Sequence, residues 1–99
     1  MSLDVWLTPE SESDLSEAKG WYDRQYPGLG QQFILCIDQA IERILLLPEG
    51  YREVVPGVRR VLVRRFPYGI YYKIEPERLV ILAVYHSKRD PKGWKARVE

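Results

Sequence analysis

The run VRRVLVRRFPYGIYYKIEPERLVILAVYHSKRDPKGW, residues 58–94, decides the fold of this chain. It is rich in valine, isoleucine and tyrosine, and turn-forming residues at 67–69 and 75–78 divide it into extended stretches. We therefore predict three strands, at 58–66, 68–74 and 79–85. The last of these is apolar on both faces, which is typical of a strand at the centre of a sheet.

The residues before this run predict a short strand followed by two helices. Residues 3–7 alternate apolar and polar side chains, as a strand does. Thr8 suits a helix N-cap and Pro9 the first helical position, so we predict a helix from there to about Tyr26. An apolar stripe predicts a second helix over about residues 30–47. The short connection between them predicts an antiparallel helical hairpin.

The complete pattern predicts a single α+β domain over residues 1–99. Its order is β-α-α-β-β-β, with the helical hairpin packed on one antiparallel sheet. Asp90 followed by Pro91 indicates one more helical turn, which gives the chain a short C-terminal helical tail.

The composition is that of an ordinary globular domain with little capacity for metal binding. One cysteine, Cys36, and one histidine make a Cys/His zinc site implausible, so we predict neither a metal nor a cofactor. No basic segment followed by an apolar run resembles a signal peptide. No apolar run approaches the roughly 18–20 residues that cross a bilayer, so we expect a cytoplasmic protein without a membrane partner.

The net charge of +1 conceals a strong asymmetry between the two halves of the chain. Residues 1–50 hold three basic and nine acidic side chains, a net charge of −6. Residues 51–99 hold twelve basic and five acidic side chains, a net charge of +7. If the halves occupy different faces, one face will attract polyanions. A solvated surface with no function is the alternative interpretation.

The order of elements, together with residues 58–94 quoted above, resembles the RelE/ParE superfamily of toxins from type II toxin–antitoxin systems. The helical stretch PGLGQQFILCIDQAIERILLLPEGY, residues 27–51, is similar to the ParE branch. The resemblance spans nearly the whole chain. It implies a toxin without a small-molecule substrate that a cognate antitoxin protein wraps and silences.

Two activities are implied by this resemblance. ParE-like members poison DNA gyrase and are not known to hydrolyse anything, whereas RelE-like members cleave mRNA in the ribosome. For a RelE-like endoribonuclease the matching residues are Arg60, Arg64, Arg89 and His86. Cleavage through the 2′-hydroxyl needs a proton acceptor, a proton donor and cations around the phosphate. In this interpretation the enzyme is independent of metal.

One departure from the RelE pattern favours the ParE branch. RelE-like enzymes usually carry an arginine just before the aliphatic residue of the third strand, and Gly69 stands there in this chain. The C-terminal aromatic acid/base of RelE is not matched either, since Trp94 or Lys95 falls in that region. Loss of one preorganised electrostatic group commonly costs about 10²–10³ in rate. We therefore expect a gyrase inhibitor, with the endoribonuclease and a degenerate antitoxin-binding module as alternatives.

The candidate target-binding residues lie in the basic half of the chain. They are Arg59, Arg60, Arg64, Arg65, Lys88, Arg89 and Trp94. Adjacent residues of a strand point to opposite faces, so at most one arginine of each pair can line the same surface. A histidine at a strand end, such as His86, is more often structural than a catalytic base, and we interpret Trp6, Trp21 and the tyrosines of the strands as packing residues.

Overall fold

The computed structural model describes residues 3–98. The strands are β1 (Asp4–Leu7), β2 (Glu53–Val55), β3 (Val58–Leu62), β4 (Tyr68–Ile74) and β5 (Arg78–His86). The helices are α1 (Pro9–Gln25), α2 (Leu29–Leu46) and α3 (Lys92–Lys95), and a 3₁₀ turn spans Pro48–Gly50. Residues 1, 2 and 99, which belong to the predicted domain, lie outside the described residues.

The strands form one sheet in the order β1-β5-β4-β3-β2, with α1 and α2 packed on one face. The α+β class and the helical hairpin on a sheet are confirmed. The prediction of a wholly antiparallel sheet needs correction, because β1 runs parallel to β5, with Asp4 opposite Arg78. The helical hairpin carries the chain from β1 at one edge of the sheet to β2 at the other edge, and β5, the last strand, then lies between β4 and β1 and runs parallel to β1.

A further correction concerns the strand β2, which the sequence analysis did not predict. Val55 pairs with Val58 across the two residues Pro56 and Gly57. Gly57 has φ of 79°, a left-handed conformation that glycine adopts without a steric penalty. The tight turn therefore joins β2 to the predicted strand β3 as a hairpin. The strand predicted at 58–66 ends at Leu62, and residues 63–67 form a loop.

The start of α1 and its junction with α2 follow from local hydrogen bonds. The Thr8 hydroxyl accepts from the Ser11 amide at 3.1 Å, which confirms the predicted N-cap. At the other end of the hairpin, the Gly30 amide donates to Asp23 Oδ1 at 2.8 Å. A Cβ atom at Gly30 would lie 2.5 Å from the Lys19 carbonyl oxygen. The helices approach so closely here that only glycine fits.

Gly30→Ala is expected to lower the free energy of unfolding by about 1–3 kcal/mol, because the added methyl group forces α1 and α2 apart. Urea denaturation followed by tryptophan fluorescence measures this change. Gly20→Ala is the control, since a Cβ there meets only Arg24 Nη1, at 3.4 Å. That variant should be stabilised by up to about 1 kcal/mol through its better helix propensity. Equal effects at the two positions would contradict the close-approach argument.

The sheet has an apolar cluster on each face. The helix-side core joins α1, α2 and the inner face of the sheet around Phe33, Ile37 and Tyr72. The tail-side core lies on the opposite face, where Trp94 covers Tyr71 and Tyr85. A β-bulge at Leu82 gives β5 one extra residue opposite Tyr71 and Tyr72. Leu82 and Ala83 therefore both belong to the tail-side core.

Candidate functional site

Most of the predicted basic residues meet at one end of the sheet. This is where β3 ends, β4 begins and β5 ends, with Tyr68 opposite His86. The Ser87 amide donates to the Pro67 carbonyl at 2.8 Å, which joins the 63–67 loop to the segment after β5. We call the surface formed here by Arg64, Arg65, Lys88 and Arg89 the basic end.

The four side chains of the basic end are held to different degrees. Arg65 has φ of 72° and donates to Gln32 Oε1 at 2.8 Å. The Arg89 guanidinium lies over the Tyr85 ring, 4.2 Å from its centroid. Arg64 and Lys88 are exposed, and within residues 3–98 their side chains have neither a hydrogen bond nor an ion pair. These two cations are therefore the most available to a partner.

An aromatic groove of about 460 Å³ lies beside the basic end. It is lined by Trp21, Tyr22, Pro67, Tyr68, His86 and Arg89. Trp21 is 51% exposed, so it presents most of an indole ring to solvent and does not pack in the core as predicted. Burial raises the pKa of the Tyr68 phenol above its ordinary value. The groove combines the aromatic residues Trp21, Tyr22 and Tyr68 with the Arg89 cation, so it suits an aromatic or anionic side chain.

The position of His86 does not favour its use as a general base. Its Nδ1 atom accepts a hydrogen bond from the Lys88 amide at 3.0 Å. In the neutral ring this contact assigns the proton to Nε2, which is then a donor. The ring also packs edge-on against Tyr68, with centroids 5.1 Å apart. These contacts give His86 a structural role in holding the segment after β5.

The arginines of β3 point to opposite faces, as predicted for an adjacent pair. Arg59 Nη1 donates to the Glu49 and Tyr51 carbonyls at 3.0 and 2.7 Å, so this side chain fastens the 3₁₀ turn to the sheet. Arg60 is exposed on the tail side, and its Cδ atom would lie 3.1 Å from a Cβ atom at Gly69. Neither arginine lines the aromatic groove with His86 and Arg89. The four proposed ribonuclease residues are thus not gathered in one groove.

Trp94 is buried and offers a partner little surface. It is 5% exposed and stacks on Tyr71, with ring centroids 4.3 Å apart. The short tail folds back because this stacking removes both rings from water. We therefore correct the prediction by taking Trp94 out of the set of target-binding residues.

The tail is also fastened by an ion pair that sequence reasoning missed. Asp14 Oδ2 accepts from Arg97 Nη1 at 2.6 Å, and Oδ1 accepts from Nη2 at 3.1 Å. Asp14 Oδ2 also accepts from the Val84 amide at 3.0 Å. The partners are 83 residues apart in the chain, so no local pattern signals the pair. An aspartate on the inner side of an amphipathic helix is the only sequence signal.

Two classes of feature are absent from the part of the chain that the structure describes. Across residues 3–98, no helix combines the length and the apolar character that a membrane span requires. The same residues contain no group of three or more His, Cys, Asp and Glu side chains arranged to hold a metal ion.

Comparison with known proteins supplies the family of the chain. Residues 5–91 match the family model for the ParE toxin of the type II toxin–antitoxin system parDE. Toxin ParE2 of Mycobacterium tuberculosis strains CDC 1551 and H37Rv is 28% identical over 88 residues, which cover 88% of this chain and 84% of the relative. A solved structure described as the chromosomal ParDE TA system from P. aeruginosa superposes with a TM-score of 0.77. That match covers 88% of this chain and 98% of the other at 18% identity, so it supports the fold alone. The chain belongs to the ParE toxin family of type II toxin–antitoxin systems.

Proposed function

We propose that this chain inhibits DNA gyrase through the basic end of its sheet and that a cognate antitoxin neutralises it. The observation that carries the proposal is the convergence of Arg64, Arg65, Lys88 and Arg89 beside the aromatic groove. Gyrase inhibition is the activity of the ParE-like branch that the sequence resembles. Such a protein acts in the cytoplasm, where we expect this chain to act.

The geometry at the basic end supports binding more than cleavage of RNA. A general base must offer an unprotonated atom to the 2′-hydroxyl, and the Nδ1 atom of His86 is already engaged by the Lys88 amide. The position that carries an arginine in RelE-like enzymes is Gly69, and the space above it holds the stem of Arg60. The unpaired cations Arg64 and Lys88 remain suited to an anionic surface of a partner.

The double variant Arg64→Ala/Lys88→Ala is expected to raise the concentration that half-inhibits gyrase supercoiling by about tenfold or more. Each exposed charge contributes to encounter and docking with the partner, and among residues 3–98 no acidic side chain pairs with either of these two. The measurement is a supercoiling assay with purified protein, together with detection of gyrase-trapped, cleaved DNA.

The matched control is Lys73→Ala/Arg78→Ala, which removes two positive charges at the opposite end of the sheet. This control should inhibit within about twofold of the parent chain. Absence of supercoiling inhibition and of trapped cleavage at micromolar protein would refute the gyrase proposal. Cleavage of mRNA on programmed ribosomes, lost in His86→Ala, would establish the ribonuclease alternative instead.

A further inference from the structure

The outer edge of β3 is uncovered beyond its pairing with β2. β2 pairs with β3 at two positions, Glu53 opposite Arg59 and Val55 opposite Val58. The pairing ends where the Arg60 amide donates to the Arg52 carbonyl at 3.2 Å. The Val63 amide points toward β4 and donates to the Tyr68 carbonyl at 2.9 Å. The peptide groups alternate along a strand, so the amide and carbonyl of Leu62 point outward. No strand of residues 3–98 lies beside them.

Three arginines surround this open edge. A groove of about 360 Å³ is lined by Arg43, Gly50, Tyr51, Arg52, Val54, Arg60, Val61 and Leu62, and we call it the arginine groove. Arg43 comes from α2 in the helix layer, whereas Arg60 faces the tail side, cross-strand from Tyr71. Guanidinium groups from both faces of the sheet therefore flank the exposed strand edge.

The charge of the arginine groove is uncompensated. Among residues 3–98, Arg43, Arg52 and Arg60 form no ion pair, whereas neighbouring Arg59 pairs with Glu53 at 3.5 Å. Arg43 Nη2 donates to the Leu62 carbonyl at 3.2 Å, but its Nε atom is buried without a hydrogen-bond partner. A buried donor without a partner is rare and costly, and an acceptor brought by a ligand would satisfy it.

The groove also has an apolar component that helps to identify the occupant. Leu62 is 61% exposed, and the partly buried Val54 also lines the groove beside it. An extended peptide places alternate side chains on alternate faces and can pair its backbone with an open strand edge. Carboxylates on such a peptide can each take two hydrogen bonds from a guanidinium group. A nucleic acid offers phosphates but no backbone groups in register with the Leu62 amide.

We propose that the arginine groove binds an extended acidic peptide segment, with carboxylates on both of its faces and apolar side chains between them, as an added strand beside β3. The inference rests on the proposed function only for the source of the peptide, which we take to be the neutralising antitoxin. The peptide's carboxylates pair with Arg43, Arg52 and Arg60, its apolar side chains cover Leu62, and its backbone pairs with the Leu62 amide.

The test uses the full chain and a fluorescein-labelled, end-blocked peptide of about ten residues made of Glu-Glu-Val repeats, which place glutamate and valine on both faces of a strand. Fluorescence anisotropy is expected to show binding that is about tenfold tighter than that of the matching lysine–valine peptide and that weakens with salt. The same glutamate peptide, N-methylated on alternate residues, should bind about tenfold more weakly because it cannot pair with the strand edge. The Leu62 amide should gain protection from hydrogen exchange in the complex.

The variant Arg52→Ala/Arg60→Ala is expected to weaken peptide binding about tenfold, whereas Arg64→Ala/Lys88→Ala at the basic end should change it less than about twofold. Circular dichroism and the urea midpoint verify that both variants are folded. Equal binding of the N-methylated peptide would overturn the added strand, and tighter binding of single-stranded RNA to the same arginines would overturn the choice of partner. Gyrase inhibition without peptide binding overturns this inference alone, whereas peptide binding without gyrase inhibition overturns only the proposed function.

Discussion

Asp14→Ala is expected to lower the free energy of unfolding by about 3–5 kcal/mol, the usual cost of removing one partner of a buried ion pair. Asp14 is 8% exposed and holds both the Arg97 guanidinium and the Val84 amide. The hydrogen bond to Asp14 raises the pKa of Arg97. Arginine stays charged in proteins in any case, so the variant leaves a partly buried guanidinium without its hydrogen-bonded carboxylate. Urea denaturation followed by tryptophan fluorescence measures the loss. A domain of this size has a total stability of only about 5–15 kcal/mol.

Glu75→Ala is the matched control for Asp14→Ala, because Glu75 also contacts two cations, Lys73 and Arg78. That cluster is at the surface, where ion pairs contribute little, so the urea midpoint should barely move. A similar shift for both variants would mean that the Asp14–Arg97 pair does not clamp the tail. If the clamp is real, Asp14→Ala should also expose Trp94 to an aqueous quencher, since Trp94 lies on the same tail as Arg97.

Phe33→Ala is expected to cost about 3–5 kcal/mol, because it leaves a cavity among aromatic rings that have no room to collapse. The ring is fully buried and packs against Tyr22, Phe66 and Tyr68, with centroid distances of 5.3, 5.3 and 5.0 Å. Phe66 belongs to the loop that carries Arg64 and Arg65. The substitution should therefore loosen the basic end as well as the core.

Two measurements separate these effects of Phe33→Ala. Urea denaturation gives the global loss, and hydrogen exchange at the Val63 and Tyr68 amides reports the loop, since both are bonded within it. Leu35→Ala on the exposed side of the same helix should change stability by no more than about 0.5 kcal/mol. Unchanged protection of the two loop amides relative to the global change would show that the loop is anchored elsewhere.

The helices and most of the sheet were predictable because their signals are local. The Thr8 cap, the prolines that follow α1 and α2 and the isoleucine and tyrosine residues of β4 each act within a few residues. The parallel pairing of β1 and the hairpin of β2 with β3 were not predicted. The first depends on which edge the chain reaches after the helical hairpin. The second depends on Gly57 adopting a positive φ, which a Pro-Gly pair permits.

The candidate site was predictable in composition more than in arrangement. The sequence indicated a basic half, and the structure gathers Arg64, Arg65, Lys88 and Arg89 at one end of the sheet. The exposure of Trp6 and Trp21 was missed, and Trp94, whose two interpretations were folding back on the sheet or anchoring a partner, is buried on the sheet. Tryptophan is apolar enough to pack and polar enough to remain in contact with water, so its position depends on tertiary neighbours. For Trp94 the deciding neighbour is Tyr71, 23 positions earlier in the chain.

The parallel pairing of β1 with β5 has a consequence for the order in which the molecule folds. Thr8, at the end of β1, contacts Leu82 across 74 residues, whereas the hairpins among β3, β4 and β5 close short loops. Closing a long loop costs more chain entropy than closing a short one, and this cost precedes the contacts that stabilise the pairing. The antiparallel hairpins should therefore assemble first and offer β1 a finished template. During synthesis β1, the first strand to leave the ribosome, is then the last to pair with the sheet.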